Sequence, residues 1–365
     1  MNPRELEANQ LQTMRGQISD MEEPAVPNAI GTITIAAPLP HECAAPACGD
    51  PLLRNAHLPL RSVFHPMGFS VDVITNSVEV LAAAEASWGR FKKVFSERTV
   101  ELHFGVIDDG SNKCPPEAIY RAHRNLRSIN ADSNNFCICD LKEGFAFSWL
   151  TRVAVEQQHY FRYYFLEPAA AFFLIDSPSV TLIHAACVEM EGRGVLLCGD
   201  SGAGKSSLAF ACARAGWTYL SDDLVCLVQG REDRIVVGNP YMFRFRDSAA
   251  HLFPELQGES IAARVAGKPT IEFPSGRIPE MTIAERCPID YIVFLNRREP
   301  DQPGLVPFPR DMARQWFEQG ISADELREAR LAAIRSLLAA EILELRYSDL
   351  DRAVRDLEEL VVKEI

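Results

Sequence analysis

One stretch constrains this chain more than any other. The apolar run Val195-Leu196-Leu197-Cys198 leads without a break into Gly199-Asp200-Ser201-Gly202-Ala203-Gly204-Lys205-Ser206. Four consecutive apolar residues predict a strand buried on both faces. The eight that follow satisfy G-x-x-x-x-G-K-[ST] at every fixed position, where glycines permit a tight loop of inward N–H groups, the lysine reaches outer phosphates and the hydroxyl binds magnesium. Lys205 to Ala215 then read as a helix with an apolar face at Leu208, Ala211, Cys212 and Ala215, and Gly216 is placed to end it. A triphosphate would lie on the positive end of that helix. With glycine at about 7% of average composition, the fixed positions match by chance in roughly one chain of this length in a hundred. The alternative is a glycine-rich turn that binds no phosphate. Gly199 to Ser206, with Ser207, are therefore the expected nucleotide contacts.

Behind the helix, Trp217 to Leu220 read as a short strand that delivers Ser221-Asp222-Asp223, so the acidic pair begins 17 residues after Lys205. Two carboxylates close behind a phosphate loop can divide the labour, one binding magnesium and one accepting a hydroxyl proton. The competing reading is a solvated turn, because aspartates are common in loops.

Taken together, GDSGAGKSS, an alanine-rich helix ending at Gly216 and a strand leading to SDD resemble the catalytic domain of the bacterial HPr kinase/phosphorylase family. His184, at the head of a strand read as Ala185 to Met190, stands where that family carries a histidine. The resemblance implies an α/β fold, a P-loop kinase core like that of phosphoenolpyruvate carboxykinase with a mixed sheet and flanking helices. It implies ATP and Mg2+ as cofactors, Asp222 as the base that activates an acceptor hydroxyl, Asp223 and Ser206 as magnesium ligands, Lys205 as the phosphate-neutralising charge and His184 as a supporting site residue. Without the resemblance, a histidine beside an apolar strand reads as an ordinary core residue.

The chain also departs from the family. Ser207 stands where the family usually has glutamate, and the downstream glycine-containing signature associated with phosphorolysis is replaced by Gly238-Asn239-Pro240-Tyr241-Met242-Phe243-Arg244-Phe245-Arg246-Asp247. Forward kinase activity with weak or absent phosphorolysis is the expectation. Arg244 and Arg246 alternate, so a strand would project both from one face, either as a clamp for phosphate or as charged positions of an edge strand. Arg264, Lys268 and Arg277 lie in Ala263 to Pro279, read either as a mobile substrate loop or as a plain surface loop.

The remaining sequence sets the frame. Its 365 residues predict about two domains. Residues 1–60 are proline-rich and read as a loosely ordered arm with one strand at Thr32 to Ala36. Residues 61–165 read as a smaller N-terminal α/β domain, with strands at Phe69 to Ile74 and Val100 to Val106, a helix at Ser77 to Phe95, and paired strands around Phe136 to Cys139 and Ala146 to Leu150. Residues 166–365 form the kinase-like domain, closing on helices at Arg310 to Glu318 and Ala323 to Ala339, a strand at Ile342 to Tyr347 and a helix at Leu350 to Val362. With 37 basic against 50 acidic side chains and a net charge of -13, no global positive field exists to hold a nucleic acid or an anionic membrane. No apolar run is long enough to span a bilayer and the start lacks signal-peptide organisation, so a cytoplasmic location is expected. The ten cysteines then read as reduced. The pairs Cys43/Cys48 and Cys137/Cys139 lack the partners a zinc site needs.

Three functions follow from these readings: an ATP-dependent kinase acting on a serine of a small protein or peptide, such as HPr or a precursor peptide; a kinase for a hydroxyl-bearing metabolite; or a nucleotide-binding regulatory protein without transfer. Self-association is left open.

Overall fold

A computed structural model describes residues 57–262, 270–297, 303–322 and 324–362. The strand expected at Thr32 to Ala36, the Cys43/Cys48 pair, Arg264 and Lys268 lie outside these residues.

The first elements are β1 (Leu60–Phe64), β2 (Val71–Thr75), α1 (Val78–Trp88), β3 (Val100–Ile107), β4 (Ile119–His123), β5 (Leu126–Asp132), β6 (Asn135–Asp140) and β7 (Phe145–Thr151). They are followed by α2 (Arg152–Glu156), α3 (Gln158–Phe161), a π-helical turn (Arg162–Leu166) and α4 (Glu167–Ile175). The strands form one mixed sheet in the order β1-β2-β3-β7-β6-β5-β4, parallel only where β3 pairs with β2 and β7. Val80, Ala83 and Trp88 of α1 and the Phe161–Phe172 segment cover it, burying Val73, Leu102 and Phe104.

Helix α1 stops well short of the expected Phe95. The Gly89 N–H closes on the Glu85 carbonyl at 2.9 Å, and the N–H groups of Val94 and Phe95 turn instead to the carbonyl of Gly68. Apolar spacing persists beyond the helix because Phe95 still buries, stacked on Phe69 with ring centroids 4.2 Å apart. Burial and helicity therefore part company at Gly89.

The second group of strands comprises β8 (Val180–Ile183), β9 (Ala186–Met190) and β10 (Arg193–Cys198), then α5 (Lys205–Arg214), β11 (Thr218–Ser221), β12 (Val225–Val228), β13 (Ile235–Gly238), β14 (Met242–Phe245), β15 (Ile261–Ala262) and β16 (Thr270–Pro274). The chain closes with β17 (Arg286–Arg297), β18 (Gly304–Pro307), α6 (Arg310–Gln319), α7 (Arg327–Leu337), β19 (Glu341–Tyr347) and α8 (Leu350–Val362). A nine-stranded mixed sheet runs β11-β9-β10-β17-β13-β12-β8, with β19 joined to β17 and β18 to β19. Strand β10 lies parallel to β17, and β17 parallel to β19, and the nearly unbroken apolar runs of β10 and the centre of β17 follow from their place between parallel neighbours. Helices α5 and α8 cover one face through Leu208, Phe210 and Leu357, while α6 and α7 cover the other through Phe317, Ile334 and Leu337.

A small sheet, β14-β16-β15, wraps Phe243, Phe245 and Phe273 around Phe210 of α5. The described part of the expected Ala263 to Pro279 loop is thus β16 and a short helical turn at Ser275–Arg277, held by antiparallel pairing with β14. Helix α7 is shorter than the expected Ala323 to Ala339, and residue 323 is outside the described set. No described helix is long and apolar enough to cross a membrane.

Candidate active site

The phosphate loop leaves the C-terminal end of β10 and turns through Gly199, Gly202 and Gly204 at φ +146°, +89° and +100°. Gly204 allows no side chain: a Cβ there would stand 2.4 Å from the Tyr347 hydroxyl, which itself donates to the Ala203 carbonyl at 2.9 Å. Tyr347, at the end of β19, thus braces the loop from below. Lys205 is buried, and its Nζ donates to the carbonyls of Gly199 at 2.7 Å and Asp200 at 3.3 Å. The ammonium therefore lies across the loop it is expected to help fill.

The strand β11 carries the acidic pair to the same place. Ser206 Oγ lies 3.4 Å from the Asp222 carbonyl, so the hydroxyl at the head of α5 and the Asp222-Asp223 turn are neighbours. Asp222 is 3% exposed. Its Oδ2 accepts the Arg244 backbone N–H at 2.8 Å, and its Oδ1 lies 3.2 Å from the Tyr219 hydroxyl. Burial pushes this carboxyl up to about 6, with the charge of Asp223 acting in the same direction; the Arg244 N–H, the Arg244 charge and the Tyr219 hydroxyl oppose the rise. Asp223 is far more open, 47% exposed at its side chain, and its Oδ1 lies 3.3 Å from Nδ1 of His184. The two adjacent carboxylates therefore have different surroundings, one dry and held, one wet and beside a histidine. That asymmetry is what a division between proton acceptor and metal ligand requires.

Among the described residues no group of three or more His, Cys, Asp or Glu stands close enough to hold a metal. Ser206 and Asp223 supply one hydroxyl and one carboxylate, a donor set that fits magnesium, which keeps waters and phosphate oxygens as most of its shell. Cys137 and Cys139 are buried free thiols with sulfurs 3.6 Å apart.

Arg244 and Arg246 have separate environments instead of forming one clamp. Arg246 follows β14 and hydrogen-bonds Ser201 Oγ in the phosphate loop. Arg244 is partly buried in a quartet of alternating charge. It meets Glu167 at 3.2 Å and Glu272 at 3.3 Å, and Arg162 meets the same two carboxylates at 3.0 and 3.7 Å. Arg162 and Glu167 belong to the helical segment covering the first sheet, so the quartet bridges that layer to the strand whose backbone holds Asp222. Sequence spacing gives no signal for Tyr219, for Tyr347 or for the Arg244 main-chain contact.

The HPr Serine kinase C-terminal domain model matches residues 177–245. The HPr kinase/phosphorylase of Shouchella clausii is 42% identical over 57 residues, 16% of this chain and 18% of its own length. That of Lactobacillus johnsonii is 43% identical over 56 residues, 15% of this chain and 17% of its own. The chain therefore matches less than a fifth of the length of these relatives. The Hpr(Ser) kinase/phosphatase from Coxiella burnetii aligns over 50% of this chain and 95% of its own, at 15% identity and a TM-score of 0.26. The family match takes in His184, the phosphate loop, both aspartates and Arg244, and over this segment the chain is similar to the HPr Serine kinase C-terminal domain.

Proposed function

We propose that the chain is an ATP-dependent kinase that transfers the γ-phosphoryl group to a serine hydroxyl of a small protein or peptide, with HPr as the first candidate acceptor, on a core like that of phosphoenolpyruvate carboxykinase. The observation that carries this reading is the buried Asp222 carboxylate, held by two hydrogen-bond donors beside the head of the phosphate-loop helix. Binding a nucleotide needs no such group; activating a hydroxyl does.

In this reading the N–H groups of Gly199 to Ser206 bind the phosphates, and Lys205 exchanges its carbonyl contacts for phosphate oxygens. Ser206 and Asp223 hold Mg2+, which when bound neutralises charge on the β- and γ-phosphates. His184 fixes the orientation of Asp223. Asp222 accepts the serine proton as the serine oxygen bonds to the γ-phosphorus and the bond to the β–γ bridging oxygen breaks, leaving ADP. A carboxyl near 6 is mostly ionised at neutral pH yet basic enough to take that proton.

The test is transfer from γ-labelled ATP to purified HPr, with the modified residue located by mass spectrometry. Asp222→Asn is expected to lose about 10²–10⁴-fold in turnover while nucleotide binding changes little. Asp223→Asn is expected to weaken magnesium-dependent nucleotide binding as well. Near-normal turnover by Asp222→Asn removes the base assignment. Transfer to a small hydroxyl metabolite and not to HPr moves the chain to metabolite kinases. Nucleotide binding without transfer to any acceptor favours the regulatory reading, for which Ser207 and the missing downstream signature are the supporting features.

A further inference from the structure

Arg246 stands at the phosphate loop, yet the chemistry described above makes no use of it. Its guanidinium is exposed and donates to the Ser201 hydroxyl. Among the described residues no carboxylate forms an ion pair with it, in a chain where acidic side chains outnumber basic ones by 50 to 37. Arg244, two positions earlier, is matched by Glu167 and Glu272. Successive residues of the loop thus hold two cations through neutral oxygens: Lys205 at the carbonyls of Gly199 and Asp200, and Arg246 at the hydroxyl of Ser201. A hydrogen bond to an anionic oxygen is about twice as strong as one to a neutral oxygen, so an arriving phosphate displaces such contacts.

The main chain of Arg246 is fixed on the helix that begins at the loop. Phe243 and Phe245 of β14 meet Phe210 of α5 edge to face, with ring centroids 5.0 and 5.2 Å apart, and the Arg246 carbonyl accepts the Ala249 N–H at 2.9 Å. Only the side chain is left to move. The backbone at Arg246 is extended, at φ -72° and ψ 155°, and continues the path of β14 from the point where the Arg244 N–H holds Asp222. At about 3.3 Å per residue, Arg246 lies about 7 Å along that path from Arg244. The transfer needs a similar span. A hydroxyl hydrogen-bonded to Asp222 and about 3–3.5 Å from the phosphorus it attacks puts that phosphorus about 6 Å from the base. One strand therefore holds the base at one point and carries a guanidinium to the transferring group at the next.

An arginine suits that place. Charge in phosphoryl transfer spreads over the three equatorial oxygens of the moving group, and a guanidinium offers a planar fork of donors that fits two of them.

We propose that Arg246 is a further catalytic residue of this site: when nucleotide binds, its guanidinium leaves the Ser201 hydroxyl and binds the γ-phosphoryl oxygens. The covalent step is the one given above, with Asp222 taking the serine proton, and Arg246 keeps all of its own protons throughout. The inference rests on the kinase reading of the site, and a comparison of ligands with and without a γ-phosphoryl group separates the two.

Calorimetry on the full chain with magnesium would compare ADP with the β,γ-imido analogue of ATP, in the wild type and in Arg246→Gln. Because Arg246 is exposed, the substitution leaves the core intact, and ADP affinity reports on the loop itself. The variant is expected to bind ADP as the wild type does and to lose at least about tenfold in affinity for the analogue. Its turnover with HPr is expected to fall by about 10²–10³-fold. Unchanged affinity for the analogue overturns the assignment. Equal loss of both ligands also overturns it, since Arg246 would then support the loop through Ser201 instead of reading the γ-phosphoryl group. Selective loss of the analogue in a chain that transfers to no acceptor supports the contact and overturns the kinase reading. Failure of the wild type to bind either nucleotide defeats the loop reading and this assignment with it.

Discussion

At the scale of single residues, Asp222 and Asp223 show how neighbours in sequence acquire different chemistry. The difference has a consequence for stability. An ordinary aspartate titrates near 3.9 when unfolded, whereas Asp222 is raised to about 6 in the fold. A raised carboxyl contributes most stability below its unfolded value, where it is protonated in both states, and that contribution is lost as pH rises through about 6. The two-unit difference corresponds to at most about 3 kcal/mol. Asp222→Asn, which cannot ionise, should escape this loss. Its unfolding free energy relative to wild type, measured with urea in chelator at pH 4 and pH 7.5, should shift in its favour by up to about 3 kcal/mol across that window. An unchanged difference at the two pH values would show that Asp222 titrates as an ordinary carboxyl. The existence of the pair was legible in sequence and its asymmetry was not. The residues that create it act through a tyrosine hydroxyl and a main-chain N–H, and almost any residue supplies the latter.

At the scale of elements, the segment from β10 through α5 was readable because its conformation is tied to residue identity. Positive φ angles select glycine, and a helix of alanines and leucine announces itself. The brace beneath the loop was not readable, since Tyr347 and Ala203 lie 144 residues apart. Strands β4 and β5 escaped for another reason. They are largely half-exposed, and their polar residues mask the alternation on which a strand is recognised. The brace makes a specific prediction. Gly204→Ala should suffer twice, from a left-handed backbone that costs about 1–2 kcal/mol and from collision with the Tyr347 hydroxyl. Tyr347→Phe alone removes the hydroxyl together with its bond to the Ala203 carbonyl, and in that background Gly204→Ala should cost only the first part. Thermal unfolding of the two single variants and the double variant measures this. A Gly204→Ala cost as large in the Tyr347→Phe background as in the wild type would show that the hydroxyl does not set the loop's clearance.

At the scale of the molecule, the Arg162, Glu167, Arg244 and Glu272 quartet ties the layer over the first sheet to the strand beside Asp222. Replacing one member leaves its partly buried partners without compensation, at a cost of up to about 3 kcal/mol. Arg244→Met and Glu167→Gln should each destabilise by that order, and the pair together by clearly less than the sum in a double-mutant cycle. Strict additivity would show that the two side chains do not act as one unit. The quartet also bears on how this chain can be divided. A fragment starting near residue 177, where the family match begins, would retain Arg244 and Glu272 and discard Arg162 and Glu167, exposing half of an ionic lattice as raw surface. The boundary of the matched segment is therefore not a place to cut the protein: a fragment excised there would emerge with an open wound behind the strand that holds Asp222.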